Sequence, residues 1–110
     1  MLLEIALSQI LAWNAKDLNK LLTYYGDDIK VYLVPDEEPK FDCKAMLEGF
    51  IKKSFADGST VPVRVLEKEE SPPKVKLLEE KVYPDHVARA WVTYLIENGK
   101  IQKMWIELVK

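Results

Sequence analysis

The amino-acid sequence has 110 residues, of which 48% are hydrophobic and 31% are charged. These values are typical of one globular domain with a single core, so we expect residues 1–110 to form one domain. The net charge is −2, and only Arg64 and Arg89 among the 16 basic residues are arginines. Nucleic-acid interfaces are basic and rely on the arginine fork, so the composition argues against a nucleic-acid partner.

The sequence contains no pattern typical of a membrane or secretory segment. No window has the roughly 18 apolar residues of a membrane span, and no basic region followed by a long apolar run opens the chain. The single cysteine, Cys43, cannot form an internal disulfide. We therefore expect a cytoplasmic protein, with no membrane partner, in which Cys43 is a structural thiol. The one histidine that could activate it, His86, is far away in sequence.

The N-terminal quarter of the chain predicts two helices. The first starts near Met1 and ends around Trp13 and Asn14, with its apolar residues at helical spacing, namely Leu3, Leu7, Ile10 and Leu11. The second covers residues 17–25. Asp17 lies in its first turn, where a carboxylate suits the helix dipole, and Gly26 is its expected C-terminal stop.

The remainder of the chain predicts one strand, one helix and then four strands. Residues 29–33 alternate as a strand, and Asp42 is a suitable N-cap for a third helix that runs to about Phe55 and is ended by Asp57 and Gly58. The four later strands are predicted over residues 61–69, 75–83, 86–97 and 101–109. Helices followed by an antiparallel meander indicate the α+β class, with a curved antiparallel sheet wrapped around three N-terminal helices.

The last hairpin predicts which side chains share a face of the sheet. Asn98 and Gly99 are the preferred pair for a two-residue type I′ turn. That register pairs Ile96 with Ile101, Tyr94 with Lys103 and Val92 with Trp105 on one face. On the other face it pairs Thr93 with Met104, Trp91 with Ile106 and Arg89 with Leu108. Both faces are apolar, so one covers the helices and the other predicts a homodimer through Val92, Tyr94, Ile96 and Trp105.

Three segments of the chain together form a recognisable pattern: the link Trp13-Asn14 to Asp17, the run Tyr24-Tyr25-Gly26-Asp27-Asp28 that leads into the first strand, and the closing Gly99-Lys100-Ile101 to Met104-Trp105. With these segments the chain resembles the nuclear transport factor 2-like superfamily, which includes SnoaL-like proteins and ketosteroid isomerases. The resemblance implies a cone of curved sheet around helices with a pocket at its open end. Members include enzymes and non-catalytic binding modules, so the fold alone does not decide function.

The catalytic pattern of the ketosteroid isomerases is mostly missing from this sequence. The resemblance places Leu33 where those enzymes carry the Asp that abstracts a proton. Gln9 and Trp91 stand at the positions of the oxyanion-binding Tyr and Asp, and Phe50 stands at the position of a supporting Tyr. Only the supporting Tyr at Tyr25 is retained. We therefore predict no catalytic residue of that mechanism.

The predicted register, together with the resemblance, implies a set of pocket residues for a flat or apolar ligand. They are Trp13, Tyr25, Tyr32, Phe50, Arg89, Trp91 and Met104. The alternative is that these aromatic side chains fill the cone as core. Arg89 has two interpretations: it clamps an anionic group of a ligand, or it pairs with a Glu of the strand at residues 61–69 or reaches solvent.

The other polar motifs favour structural or solvated roles. His86 follows a turn and is expected on the surface, and Asp27 and Asp28 are expected to be solvated or to cap. The run Glu79-Glu80-Lys81 is predicted to be exposed. The sequence has no second His or Cys at ligand spacing, no glycine-rich phosphate loop and no nucleophile elbow, so no metal and no cofactor are predicted.

Two functions of different class are consistent with these observations. The first is a small-molecule-binding or scaffold domain that forms a homodimer and has an aromatic-lined apolar pocket. The second is a SnoaL-like isomerase, cyclase or dehydratase acting on a small apolar substrate, with Tyr25 or Tyr32 as the acid and Arg89 as the anion stabiliser. Asp42 and His86, both expected near the rim, are the only nearby candidates for a general base, which favours the first function. An assembly module with a filled cone is a third possibility.

Overall fold

A computed structural model describes residues 2–109 and contains three helices and five strands. The helices are α1 (Leu2–Asn14), α2 (Leu18–Leu22) and α3 (Lys44–Asp57). The strands are β1 (Tyr25–Leu33), β2 (Val63–Ser71), β3 (Lys74–Val82), β4 (Val87–Glu97) and β5 (Lys100–Leu108). The α+β class and the order of elements are as predicted, while Met1, near which the first helix was expected to start, lies outside the described residues.

The second helix is shorter than its sequence pattern suggests. Asp17 is its N-cap and accepts a hydrogen bond from the backbone N–H of Lys20 at 3.2 Å, which satisfies one of the free donors of the first turn. The helix ends at Leu22, so the prediction that Gly26 stops it is wrong. Gly26 lies in β1, where a side chain would run into the side chain of Gln102 on the neighbouring strand β5.

The third helix begins one residue later than predicted and runs to Asp57, two residues past the predicted end at about Phe55. Cys43, with an extended backbone, is its N-cap and makes no side-chain capping bond, so the assignment of Asp42 as N-cap is wrong. Gly58 follows the helix in the left-handed conformation, with φ of 70°, and this is the conformation in which glycine most often ends helices.

The five strands form one sheet in the order β1-β5-β4-β3-β2. The strands β2 to β5 make the predicted antiparallel meander, whereas β1 pairs with β5 in parallel. Through this pairing β1 covers the edge that β5 would otherwise leave open.

The hairpin between β4 and β5 has a one-residue irregularity that changes the predicted faces. Ile96 pairs with Ile101 as predicted, but Leu95 pairs with Lys103, which leaves Gln102 without a partner in β4. Such a bulge moves every later side chain of one strand to the other face. The predicted pairs beyond the bulge are therefore wrong, and Tyr94 pairs with Met104 instead of Lys103.

The face of the sheet that packs against the helices, called the inner face here, carries the core. Its β4 residues are Val92, Tyr94 and Ile96, which are only 4%, 1% and 2% exposed. They are joined by Ile101 from β5 and by residues of the helices such as Leu21. The prediction that Val92, Tyr94 and Ile96 form a dimer surface is therefore wrong, because these side chains are already buried within one chain.

The opposite, outer face of the sheet carries Trp91, which the predicted register placed inside, and Trp105, which it placed on the dimer face. Trp91 and Trp105 lie on this face, and Tyr32 stacks on Trp105 with ring centroids 5.9 Å apart. The ammonium groups of Lys74 and Lys76 lie over Trp105 and Trp91, at 5.2 Å and 4.9 Å from the ring centroids. No helix among residues 2–109 is long and apolar enough to cross a membrane, and the cytoplasmic location stays a prediction.

Candidate functional site

A cavity of about 150 Å³ lies between the inner face of the sheet and the helices. Most of its wall is apolar. The apolar lining residues are Ile10, Trp13, Val31, Phe41, Leu47, Phe50, Ile51, Val63, Val92, Met104 and Ile106. Phe50 is 47% exposed and leans on Phe41, with ring centroids 5.1 Å apart, so these two rings lie where the cavity meets the surface.

Four polar side chains form a hydrogen-bonded chain along one wall of the cavity. The Tyr25 hydroxyl donates to Oε1 of Gln9 at 2.9 Å, and Nε2 of Gln9 donates to the Tyr94 hydroxyl at 3.1 Å. The Tyr94 hydroxyl in turn donates to Oε2 of Glu79. We call these four residues the polar chain. They come from β1, α1, β4 and β3, so the arrangement exists only when helix and sheet are packed together.

The alternation of β3 explains why Glu79 points into the cavity. Val75 and Leu77 are fully buried on the inner face, and a strand places every second side chain on the same face. Continuing the alternation brings Glu79 and Lys81 to the inner face and Glu80 to the outer face. The prediction that this run is exposed is therefore wrong: Glu79 and Lys81 line the cavity, and Glu80 is only 5% exposed.

The surroundings of Glu79 change its acidity. Burial raises the pKa of the Glu79 carboxyl to about 7, although the hydrogen bond from Tyr94 and the charge of Lys81 oppose that rise. Burial also raises the pKa of Tyr25 and of Tyr94, and the neighbouring Glu79 carboxylate adds to both effects. The carboxyl can thus take up or release a proton near neutral pH, whereas both phenols keep their hydrogens.

Lys81 is the second charged group at the cavity. Its ammonium lies 4.9 Å from the ring centroid of Trp13, and burial lowers its pKa while the Glu79 carboxylate opposes that change. Trp13 is held in turn by Phe55, with ring centroids 5.3 Å apart, and by a long hydrogen bond of 3.4 Å from its Nε1 to the carbonyl of Val61. The cation therefore has a fixed position on an aromatic surface beside the carboxylate.

Four of the seven predicted ligand-binding residues line the cavity: Trp13, Tyr25, Phe50 and Met104. Tyr32, Arg89 and Trp91 do not, and their predicted position inside the cone is wrong. For Arg89 and Trp91 the cause is the bulge at Gln102, because the predicted register carried them to the face that holds Met104. Tyr32 lies on the outer face because it alternates with the buried Val31.

Arg89 forms an ion pair on the outer face. Its Nε lies 2.8 Å from Oε2 of Glu80, and the guanidinium of Arg64 lies 3.4 Å from the other oxygen of the same carboxylate. Of the two interpretations of Arg89, ion pairing within the protein is the one observed. Its partner, however, is Glu80 on β3 and not a glutamate of β2.

The remaining candidates from the sequence lie away from the cavity. His86 is on the surface as predicted, with its side chain 58% exposed and Nδ1 2.7 Å from the Asp85 carboxylate. Asp27 and Asp28 are exposed, and Cys43 is a free, partly buried thiol. Within residues 2–109, no three His, Cys, Asp or Glu side chains are grouped so that they could hold a metal ion.

Sequence reasoning missed Glu79 and Lys81, although a signal for them was present. Period-2 alternation from Val75 and Leu77 reaches both residues, but two adjacent charges in a glutamate-rich segment indicated a solvated strand. The conclusion that no candidate general base points into the cone except near its rim is corrected by Glu79.

Comparison with solved structures gives the same fold in several bacterial proteins. A nuclear transport factor 2-like protein of unknown function from Cytophaga hutchinsonii superposes with a TM-score of 0.78 at 12% identity, covering 99% of this chain and 90% of that one. An uncharacterised cystatin-fold protein from Novosphingobium aromaticivorans gives 0.82 at 18% identity over 98% and 97%. A SnoaL-like protein of unknown function from Burkholderia thailandensis gives 0.77 at 13% identity over 92% and 88%.

Neither a protein-family model nor a curated protein sequence matches the chain. At identities of this size the superpositions establish the fold and carry no residue-level roles. The α+β arrangement of helices packed on a five-stranded sheet superposes on those neighbours over nearly the whole chain. The protein thus has the cystatin-like α+β cone fold that these structures share.

Proposed function

We propose that the protein is a small-molecule-binding domain whose ligand occupies the cavity between the inner face and the helices. The observation that carries the proposal is the cavity itself, which is apolar over most of its wall and has one carboxyl and one ammonium group at Glu79 and Lys81. Binding sites in proteins are typically concave and apolar, with a few polar groups that orient the ligand. Here the size favours a ligand of about one ring, because a cavity of about 150 Å³ can hold benzene.

Native mass spectrometry of the purified protein tests this function. The expected result is a species heavier than the polypeptide by a small molecule that is released on unfolding. Val92→Phe is expected to abolish that adduct, because Val92 lines the cavity and the added ring would fill it. Thr93→Phe is the matched control, since Thr93 pairs with Trp105 on the outer face. Loss of the adduct in both variants, or its persistence in Val92→Phe, would contradict binding in the cavity.

A second function, an isomerase, cyclase or dehydratase acting on a small apolar substrate, is supported by the environment of Glu79. A carboxyl with a pKa of about 7 inside an apolar cavity has the acidity that general acid–base catalysis at neutral pH requires. In such an enzyme Glu79 would take a proton from the substrate and return it at another atom. The test incubates a small apolar candidate substrate with the wild type in D₂O and measures replacement of its C–H hydrogens by deuterium. Glu79→Gln is expected to abolish this exchange.

The partner we propose is a second copy of the chain, docked on the outer face around Tyr32, Trp91 and Trp105. This face has aromatic groups on three strands, while Ile10, Leu21 and Leu47 of the three helices pack in the core with the inner-face residues. Sedimentation is expected to give a dimer that Trp105→Glu converts to a monomer. Leu11→Glu is the control, because Leu11 is a 69% exposed apolar residue of α1. A wild-type monomer would contradict the proposed dimer.

A further inference from the structure

The direction of the hydrogen bonds in the polar chain determines what the cavity wall offers to a ligand. Tyr25 donates to Gln9, Gln9 donates to Tyr94, and Tyr94 donates to Glu79. Both phenolic hydrogens are therefore used within the protein. The chain of donors ends at a carboxylate, which has no hydrogen of its own when ionised.

The polar atoms of the cavity wall that can still form a hydrogen bond to a ligand are mainly acceptors. An ionised carboxylate has about four lone-pair sites, and among residues 2–109 the only hydrogen bond to Glu79 comes from Tyr94. The Tyr25 oxygen has given its hydrogen to Gln9 and keeps its lone pairs. Among the described residues, every fully buried side-chain oxygen or nitrogen has a hydrogen-bond partner. The Glu79 oxygen that has no partner is therefore not fully buried. Because Glu79 lines the cavity, its free acceptor sites face the cavity space.

We propose that the cavity binds small cyclic molecules that carry a hydroxyl group, and that this hydroxyl donates a hydrogen bond to Glu79. The inference rests on the proposed binding function and names the class of its ligand. The apolar wall contacts the ring. The Glu79 carboxylate accepts a hydrogen bond from the hydroxyl, in place of the one that the hydroxyl made to water outside the cavity. A ligand of similar shape without a donor would leave the free acceptor sites of the Glu79 carboxylate without water and without a hydrogen bond, which disfavours its binding.

The competing possibility is an anionic ligand held by Lys81. The Lys81 ammonium lines the same cavity and lies over Trp13, so a carboxylate on a ring could pair with it. Glu79 is two residues away on the same face of β3 and would repel that anion. The arrangement therefore favours a neutral donor over an acid.

The test compares phenol, fluorobenzene and benzoate, three rings of similar size, at pH 8. Fluorobenzene lacks the donor, and its binding is followed directly by fluorine NMR, while phenol and benzoate are measured by their displacement of it. We expect phenol to bind about tenfold more tightly than fluorobenzene, as for a hydrogen bond to a charged acceptor. Benzoate is expected to bind more weakly than phenol.

Two variants locate the preference at one side chain. Glu79→Gln replaces the carboxylate by an amide that can present N–H donors to the cavity, so the preference for phenol is expected to disappear. Glu80→Gln makes the same chemical change at the adjacent residue, whose side chain pairs with Arg89 on the outer face. It is expected to keep the preference.

The wild-type protein gives a measurement that does not depend on folding of a variant. The titratable groups that face Glu79 are Tyr94 on β4, Tyr25 on β1 and Lys81 on β3, while α1 presents the uncharged Gln9. The Glu79 carboxyl, whose pKa burial raises to about 7, changes charge between pH 8 and pH 5.5. Protonation turns its free oxygen into a donor, so the tenfold preference is expected to fall severalfold at pH 5.5.

The outcomes separate the inference from the proposed function. If neither fluorobenzene nor phenol binds, the binding function itself is contradicted. If fluorobenzene binds as tightly as phenol, the cavity binds ligands but the hydroxyl preference is wrong. Tighter binding of benzoate than of phenol would also overturn the inference and would assign recognition to Lys81. A preference for phenol that survives Glu79→Gln would place the acceptor at another residue.

Discussion

The hydroxyl of Tyr94 donates a hydrogen bond to the carboxyl of Glu79, although the two residues are not paired in the sheet. Glu79 is opposite Ala90, and Tyr94 is opposite Val75, so the two side chains reach along the strands toward each other. The Tyr94 hydroxyl also accepts from Gln9 on α1. This one oxygen therefore links the sheet, the first helix and the Glu79 carboxyl that lines the cavity.

Removal of the Tyr94 hydroxyl is expected to destabilise the protein. Tyr94→Phe leaves Nε2 of Gln9 and one oxygen of Glu79 without their partner in a buried site. Each unsatisfied buried group typically costs about 1–3 kcal/mol, so the free energy of unfolding in urea should fall by about 2 kcal/mol or more. Tyr83→Phe is the control, because Tyr83 stacks on His86 at the surface and should tolerate the change. Equal effects of the two substitutions would contradict a special role for the Tyr94 hydroxyl.

Stability is expected to fall as the pH rises from 5 to 8 because of Glu79. Its pKa is raised from an ordinary 4.5 to about 7, so the folded state holds this proton more tightly than the unfolded chain does. The contribution is fully present at low pH and is lost as the pH rises toward about 7. Relative to Glu79→Gln, the wild type should lose about 2–3 kcal/mol of unfolding free energy over this range. The exposed Glu70→Gln should follow the wild type, and a pH-independent difference for Glu79→Gln would exclude the raised pKa.

Two glycines are expected to respond to the same substitution with opposite sign. A Cβ at Gly26 would collide with the side chain of Gln102, whereas a Cβ at Gly49 would meet nothing within 4 Å. The Gln102 side chain is flexible and can move aside, so Gly26→Ala should lower the stability by about 1 kcal/mol or less, through loss of the hydrogen bond from Gln102 to the Glu97 carbonyl. Gly49→Ala in α3 should raise it by about 0.5–1 kcal/mol, since alanine favours a helix over glycine. Thermal unfolding measures both, and a Gly26→Ala as stabilising as Gly49→Ala would contradict the predicted difference.

The two arginines that pair with Glu80 are expected to differ in importance. Arg89 lies 2.8 Å from the carboxylate and its side chain is 53% exposed, while Arg64 lies at 3.4 Å and is 76% exposed. Exposed ion pairs contribute up to about 1 kcal/mol, and the shorter, less solvated one contributes more. Arg89→Met should therefore lower the unfolding free energy more than Arg64→Met does, with both effects reduced in 1 M salt. A larger effect of Arg64→Met would contradict this ranking.

The local parts of the fold could be predicted from the sequence, and one non-local detail could not. Helix α1, the glycine at the end of α3 and the turn at Asn98 and Gly99 follow from periodicity and from the preferences of turn residues. The bulge at Gln102 has no sequence signal of its own. The bulge adds one residue to β5. The face predicted for each β4 residue from its β5 partner was therefore the opposite of the face observed.

The candidate site was predicted in part for the same reason. Trp13, Tyr25, Phe50 and Met104 line the cavity as expected, because their positions depend on helix periodicity, on the start of β1 or on β5 beyond the bulge. Glu79 could have been found from the alternation of β3. Its hydrogen bond with Tyr94 could not, since that contact joins residues that are not opposite each other in the sheet.

The protonation of Glu79 in the folded protein tests the account most directly. The carboxyl carbon of Glu79, observed by carbon NMR and assigned with Glu79→Gln, should titrate with a pKa of about 7. In Tyr94→Phe that pKa should be higher still, because the hydrogen bond that lowers it is lost. A titration near the ordinary value of 4.5 would contradict the burial of Glu79 in the cavity, and with it the site proposed for the ligand.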